Sequence, residues 1–166
     1  MSMFSVNPHR HDPYKNFKFR VKWDGQYVPA ISRVSALNRI TETIEHRDGG
    51  EPSDFRLSPG ATTFEPVVLE RGLSHDTAFE DWANLVFNLD GDAGMSLKNY
   101  RKDILIELFN LQGSKVMAFN VHRCWVSEYQ PLSELDANGT VIAVERLVLQ
   151  HEGWERDKSV TEPQET

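Results

Sequence analysis

The side chains best suited to chemistry fall into five small groups, and spacing decides what each could do. His122-x-Cys124 would place two soft donors on one face of an extended strand, the start of a zinc or copper site. A closed site needs further ligands, and nothing nearby has the spacing, so a partly buried His and Cys is the plainer reading. His9-x-His11 could catch a transition metal, though a solvated polar arm explains it as well. Asn88-x-Asp90-x-Asp92 has the outline of a calcium loop, but its glycine arrives late, at Gly94, and the twelfth position is Asn99 instead of Glu. A helix-ending turn on Gly91 or Gly94 fits better. His75, Asp76 and Glu80 could act as acid and base, yet no nucleophile or oxyanion donor can be placed beside them from spacing. Capping and favourable charge at a helix N-terminus account for both carboxylates. Finally, Phe17, Phe19 and Trp23 interleave with Lys18, Arg20 and Lys22, as in a platform for single-stranded nucleic acid. Alternation along a strand puts rings and cations on opposite faces, which favours core-facing rings and a solvated cationic side.

The sequence contains no nucleophile elbow, phosphate loop, dinucleotide fingerprint or metalloprotease helix motif. We therefore expect no enzyme, no cofactor and no metal.

The elements that must carry these residues are mostly strands. Residues 17–23 alternate strictly and stop at Asp24-Gly25, a strong hairpin signal. Residues 31–47 are ambiguous, because Ile31, Val34, Leu37, Ile40 and Ile44 recur at helical spacing while β-branched residues dominate. Read as one long strand, they put Arg33, Ser35, Arg39, Thr41, Thr43, Glu45 and Arg47 on a polar face, and Val34, Ala36, Ile40 and Ile44 toward a core. Residues 48–63 are too rich in Gly, Pro, Ser and Asp to pack in register, and read as a long loop of the kind usually functional or disordered. A strand over 64–70 ends at Arg71-Gly72. A helix over 77–89 follows, with Phe79, Trp82, Ala83, Val86 and Phe87 on one face. Strands are expected over 103–110, 115–128 and 140–151. The fold class is α+β, mainly β: an antiparallel sandwich or barrel of about six or seven strands with one flanking helix.

Composition bounds the rest. The 166 residues, 39% apolar and 10% aromatic, suffice for one core and one domain. We read an N-terminal arm over 1–15, a domain over 16–155 and a flexible C-terminal tail over 156–166. A net charge of -7 gives no global basic field for capturing nucleic acid. The single cysteine excludes an intramolecular disulfide and suits a reducing cytoplasm. With no apolar run of membrane-spanning length and a polar, His-rich start, a soluble chain without a Sec leader is expected.

Taken in order, residues 17–25, Val34-Ser35-Ala36-Leu37, residues 44–50, Pro59-Gly60, residues 69–72, Phe79 with Trp82, and His151-Glu152-Gly153 resemble the tail tube proteins of contractile phages and phage-tail-like injection systems. Ala36 stands where that family often has Gly. The resemblance implies a structural subunit that forms rings of six, stacked into an inner tube that a contracting sheath drives through a target envelope. In such a ring the strands of six copies would join one β-barrel. About four strands from each copy, at about 4.8 Å spacing, give a circumference on the order of 115 Å, too wide to fill with side chains. The inner wall should then be polar, which assigns Arg33, Ser35, Arg39, Thr41, Thr43 and Glu45 to the lumen. A second hairpin over about 115–145 would supply the rest. The loop bearing Arg47, Asp48, Gly49, Gly50, Pro59 and Gly60 would reach a neighbouring ring or subunit, unless it is an ordinary surface loop. Implied partners are further copies of the chain, sheath protein, baseplate and tube-terminating proteins, and protein cargo or DNA in the channel, with assembly in the cytoplasm before release or injection. A soluble β-barrel binding a small ligand, or carrying cargo as a free ring, is the alternative. A ligand-binding barrel would be a monomer with an apolar cavity, whereas a tube subunit would oligomerise around a polar channel.

Overall fold

Strand β1 (Phe19–Trp23) ends at Asp24 and Gly25, whose φ angles of 53° and 74° make the two-residue turn that suits a twisted hairpin and leads into β2 (Gln26–Tyr27). The computed structural model describes residues 3–47, 49–50 and 55–166. After β2 come β3 (Ile31–Val34), β4 (Arg39–His46), β5 (Arg56–Phe64), β6 (Val67–Gly72) and α1 (Ala78–Asn84). The chain then continues through β7 (Lys102–Phe109), β8 (Lys115–Gln130), β9 (Val144–Gln150) and β10 (Trp154–Arg156). The fold is mainly antiparallel β with one α-helix. It has more strands than expected because 31–47 splits, the presumed loop contains a strand, and β10 follows the last strand expected.

Seven strands pair in the order β2-β1-β7-β8-β9-β6-β3, with β10 added to β8. Strand β8 is shared: Lys115 to Cys124 pair with β7, while Trp125 to Gln130 pair with β9. Between the two halves, Cys124 faces Lys102 but Val121 faces Ile104, and Arg123 takes φ 53°. The extra residue is a bulge, which bends a strand and raises its twist. One core then draws Val21, Trp23 and Ile104 from one side of the bend and Val67, Leu69, Leu147 and Leu149 from the other.

Helix α1 plugs this core with Phe79 and Trp82, three residues apart and both fully buried. The Trp82 indole donates to the Tyr100 carbonyl at 2.9 Å and its ring lies 4.8 Å from that of Trp23. The helix is shorter than expected. The Leu85 carbonyl, which would accept from Leu89 in a continuing helix, instead accepts from the Ser96 N–H at 3.0 Å, and Phe87 is left exposed. Asn88 then turns the chain by accepting the Asp90 N–H.

Three other expectations are corrected. The strand over 31–47 breaks at Ser35, whose N–H and Oγ both bond to Val68 of β6, and Leu37 packs against the core. Residues 56–63, expected as loop, form β5 with Pro59-Gly60 inside it. Proline is tolerated here because Pro59 sits beside a register shift on a strand with an open edge. Gly60 lets the partner strand pack closely: a Cβ there would come 3.0 Å from the Ile44 side chain, which would have to shift. The expected second hairpin is formed by β8 and β9, which pair antiparallel inside the larger sheet.

The third correction concerns the termini, which bind each other instead of hanging free. The Glu162 carboxylate accepts hydrogen bonds from the N–H groups of Ser5, Val6 and Asn7 and from the Asn7 side chain, and Asn7 is 1% exposed. Arg10 pairs with Glu165 and covers the rings of Phe4 and Tyr14. Burial pushes the Glu162 carboxyl up, but the bonds from Val6, Asn7 and Ser5 outweigh it and hold the group below its ordinary value. A depressed carboxylate contributes stability that is present above its unfolded pKa, about 4.3, and is lost as pH falls through the lower folded value. We expect the Ser5 to Asn7 amide resonances to shift cooperatively in NMR only below about pH 4. Glu162→Gln should produce the same shifts at neutral pH; unchanged spectra in that variant would contradict the clasp.

Candidate assembly surface

The residue groups that could do chemistry are occupied by structure. The bulge at Arg123 breaks the alternation that would have set His122 beside Cys124. His122 Nε2 lies 3.0 Å from Glu155, whereas the Cys124 thiol points at the Val121 carbonyl and is fully buried. Burial pushes that thiol up to about 12, against a lowering bond from the Ile104 backbone, so it is an inert packing group. Among the described residues no cluster of three His, Cys, Asp or Glu side chains could hold a metal. Asp76 caps α1 by accepting the Ala78 N–H at 3.0 Å, and this bond and that from Arg71 hold its carboxyl below the usual range. The rings on β1 make no stacking row. Trp23 is buried, Phe17 is exposed, and Arg20 and Lys22 lie against the ring of Tyr27, at 5.5 and 5.4 Å.

A surface without such an explanation is the β4–β5 hairpin. All eight residues of β4 are exposed, and among the described residues β4 and β5 pair only with each other, so each strand keeps one open backbone edge. On one face, Arg39, Thr41, Thr43 and Glu45 stand opposite Phe64, Thr62, Pro59 and Leu57, with the Thr41 and Thr62 hydroxyls 2.9 Å apart. On the other, Ile40, Ile44 and His46 stand opposite Thr63, Ser58 and Arg56. Ile40 and Ile44, expected in the core, are 49% and 47% exposed, because the hairpin leaves the sheet that would have covered them.

The residues assigned to a lumen are thus divided. Arg39, Thr41, Thr43 and Glu45 share the hairpin face. Arg33 instead pairs with Glu70 at 3.3 Å, and Ser35 is bound to β6. Of the residues assigned to the loop, Arg47 lies 4.8 Å over the ring of Phe55, Gly49 and Gly50 form a turn, and Asp48 lies outside the described residues. Pro59 and Gly60 belong to β5. Exposed Phe55 and Leu57 were missed, for their neighbours Pro59 and Gly60 masked the strand. The alternation of 55, 57 and 59 was the signal available.

Residues 15–155 match the family described as T4-like virus tail tube protein gp19. The chain belongs to that family. Tail tube proteins are structural subunits, not enzymes, and this one is a tube subunit of a phage tail or tail-like contractile injection particle. No curated protein gives a significant match. Among solved structures, the tail tube fold is similar to a chain in a cryo-EM structure of an extracellular contractile injection system, the PVC sheath-tube complex in its extended state. That match has TM-score 0.74 and 25% identity, over 94% of this chain and 99% of the other. A chain in the PVC sheath/tube terminator structure matches with TM-score 0.74 and 26% identity, over 89% and 98%. A chain in the six-fold symmetrised anti-feeding prophage baseplate has the same fold, with TM-score 0.73 and 19% identity over 89% and 97%.

Proposed function

We propose that six copies close into a ring through their β4–β5 hairpins, and that stacked rings form the tube that a contracting sheath propels. The observation that carries this reading is the hairpin itself. A two-stranded ribbon is marginal in water alone, and this one exposes Ile40, Ile44, Phe55 and Leu57 beside two open edges. Neighbouring copies that pair edge to edge would satisfy the backbone and cover the isoleucines, by a heterologous contact that closes with cyclic symmetry.

The face bearing Arg39, Thr41, Thr43 and Glu45 would then line the channel, with Arg33 and Ser35 at its margin, and Arg47 to Gly50 would reach the adjoining ring. Charges and hydroxyls from β4, interspersed with Pro59 and Leu57 of β5, would let protein cargo or DNA slide where a wholly apolar wall would hold it. Sheath, terminator and baseplate proteins are the expected partners, given the assemblies in which the similar chains occur. Assembly would take place in the cytoplasm.

Electron microscopy of the purified protein across a concentration series, with light scattering for mass, tests this. Six-fold rings or stacked tubes are expected. A monomer at every concentration, even when a baseplate template is added, would overturn it in favour of a ligand-binding barrel.

A further inference from the structure

The base of the hairpin is gripped by one short stretch, His151-Glu152-Gly153-Trp154, where the chain turns from β9 into β10. This turn is pinned to β8 by two backbone bonds, from the His122 N–H to the Gly153 carbonyl at 2.8 Å and from the Glu152 N–H to the His122 carbonyl at 3.0 Å. From that fixed platform, contacts reach both ends of the hairpin. His151 Nδ1 accepts the Gly153 N–H at 3.2 Å, which requires the neutral ring to carry its proton on Nε2, and Nε2 donates to the Glu65 carbonyl at 2.8 Å. The Trp154 indole N–H lies 3.4 Å from the Asn38 carbonyl, on the other strand's side. The Phe64 ring stands between the two, 5.7 Å from His151 and 6.5 Å from Trp154, and Phe119 backs Trp154 at 6.2 Å.

Gly153 is fitted to this place in two ways. Its φ of 136° is one that side-chain-bearing residues rarely adopt, and a Cβ there would come 3.2 Å from the Phe64 ring. Asn38 closes the base by donating to the Glu65 carboxylate at 2.6 Å. Just inside the base, Leu37 packs against the core and Val67 is fully buried, so both points of departure are anchored. Further out, the Thr41–Thr62 contact runs from one hairpin strand to the other.

We propose that the His151–Trp154 turn is a positioning socket that fixes the angle of the hairpin on the single subunit, before another copy arrives. Phe64, His151, Gly153 and Trp154 are its positioning residues. Two flexible tethers alone would let the hairpin swing, and each swinging subunit would have to be ordered as the ring closed. A hairpin already aimed avoids that cost. The consequence for ring closure rests on the tube reading above; the fixed angle does not.

The test is a distance measurement on the full chain, kept dilute enough to be monomeric. Spin labels at Thr43→Cys on the hairpin and Leu111→Cys on the exposed β7–β8 turn report the angle, since buried Cys124 does not label. A narrow distance distribution is expected in the otherwise native chain. Trp154→Ala and Gly153→Val should broaden it while the body keeps its circular dichroism, and should raise the concentration needed for rings by roughly tenfold or more. His151→Ala should broaden it as well, and His151→Gln, which keeps an N–H donor for the Glu65 carbonyl, should narrow it again. That pair decides the matter at a half-buried site if Trp154→Ala does not fold. Equal widths in native, His151→Ala and His151→Gln chains would overturn the socket. Broadening without any change in ring formation would overturn its role in assembly. Absence of rings from the native chain would overturn the tube reading alone, because the distance is read on one subunit.

Discussion

A chain carrying Ile40→Asp and Ile44→Asp should fold as the native chain does and stay monomeric at concentrations where the native chain forms rings. Both side chains are about half exposed on the single subunit, so the substitutions remove little that the monomer uses. In the ring they would be covered. Fully burying an isoleucine is worth about 1.5 to 3 kcal/mol, and about half of each side chain remains to be covered, so the two contribute about 1.5 to 3 kcal/mol per subunit. That corresponds to roughly 10 to 10² in association, before the added cost of covering a carboxylate. Light scattering and a thermal melt read the two halves of this expectation separately. Rings at the native concentration would show that this face stays open to water in the assembly.

The second large effect lies in the core. Arg71 is 1% exposed on its side chain, yet it is a cation. Its Nε bonds to Glu145, itself 5% exposed, directly across from it on β9. Its two other nitrogens reach the Asp76 carboxylate at 2.8 Å and the Asp76 carbonyl at 2.7 Å, and the guanidinium covers the Phe79 ring at 4.3 Å. One side chain thereby ties β6, β9 and the start of α1 together. Arg71→Ala leaves the Glu145 carboxylate buried without its cation, a change that costs about 3 to 5 kcal/mol. A urea titration should show the midpoint falling with the slope nearly unchanged. Arg71→Met combined with Glu145→Leu removes both charges and should recover most of the loss. A single variant as stable as the native chain would mean that water reaches Glu145.

Where side-chain alternation was regular, the strands could be read from the residues. The Asp24-Gly25 hairpin is there, and β7 and β8 begin within a residue of expectation, because Asp-Gly and Gln112-Gly113 admit few other conformations. The hairpin was harder. Pro59-Gly60 ordinarily ends a strand, and only the bulge opposite Thr41 to Thr43 lets it sit within one. Ile40 and Ile44 looked like core because the proposed burial against a partner copy would leave the same pattern as burial in the chain itself. The helix was overextended because its periodic apolar residues continue after Leu85, while the hydrogen bond that ends it comes from Ser96, eleven residues on. The terminal clasp was invisible for a related reason: low hydrophobicity suggested disorder, but Glu162 binds the arm through polar groups.

Strand β8 has a mechanical consequence. Its 16 residues run without interruption from the half of the sheet containing β1 and β7 into the half containing β6 and β9. Layers that meet only through side chains can slide over one another when pushed. Here, thrust delivered to one half enters the other along a covalent spar, gripped by its neighbours along its length. A subunit rammed end-on against an envelope would therefore yield first at the slender hairpin or its socket, and last across the sheet.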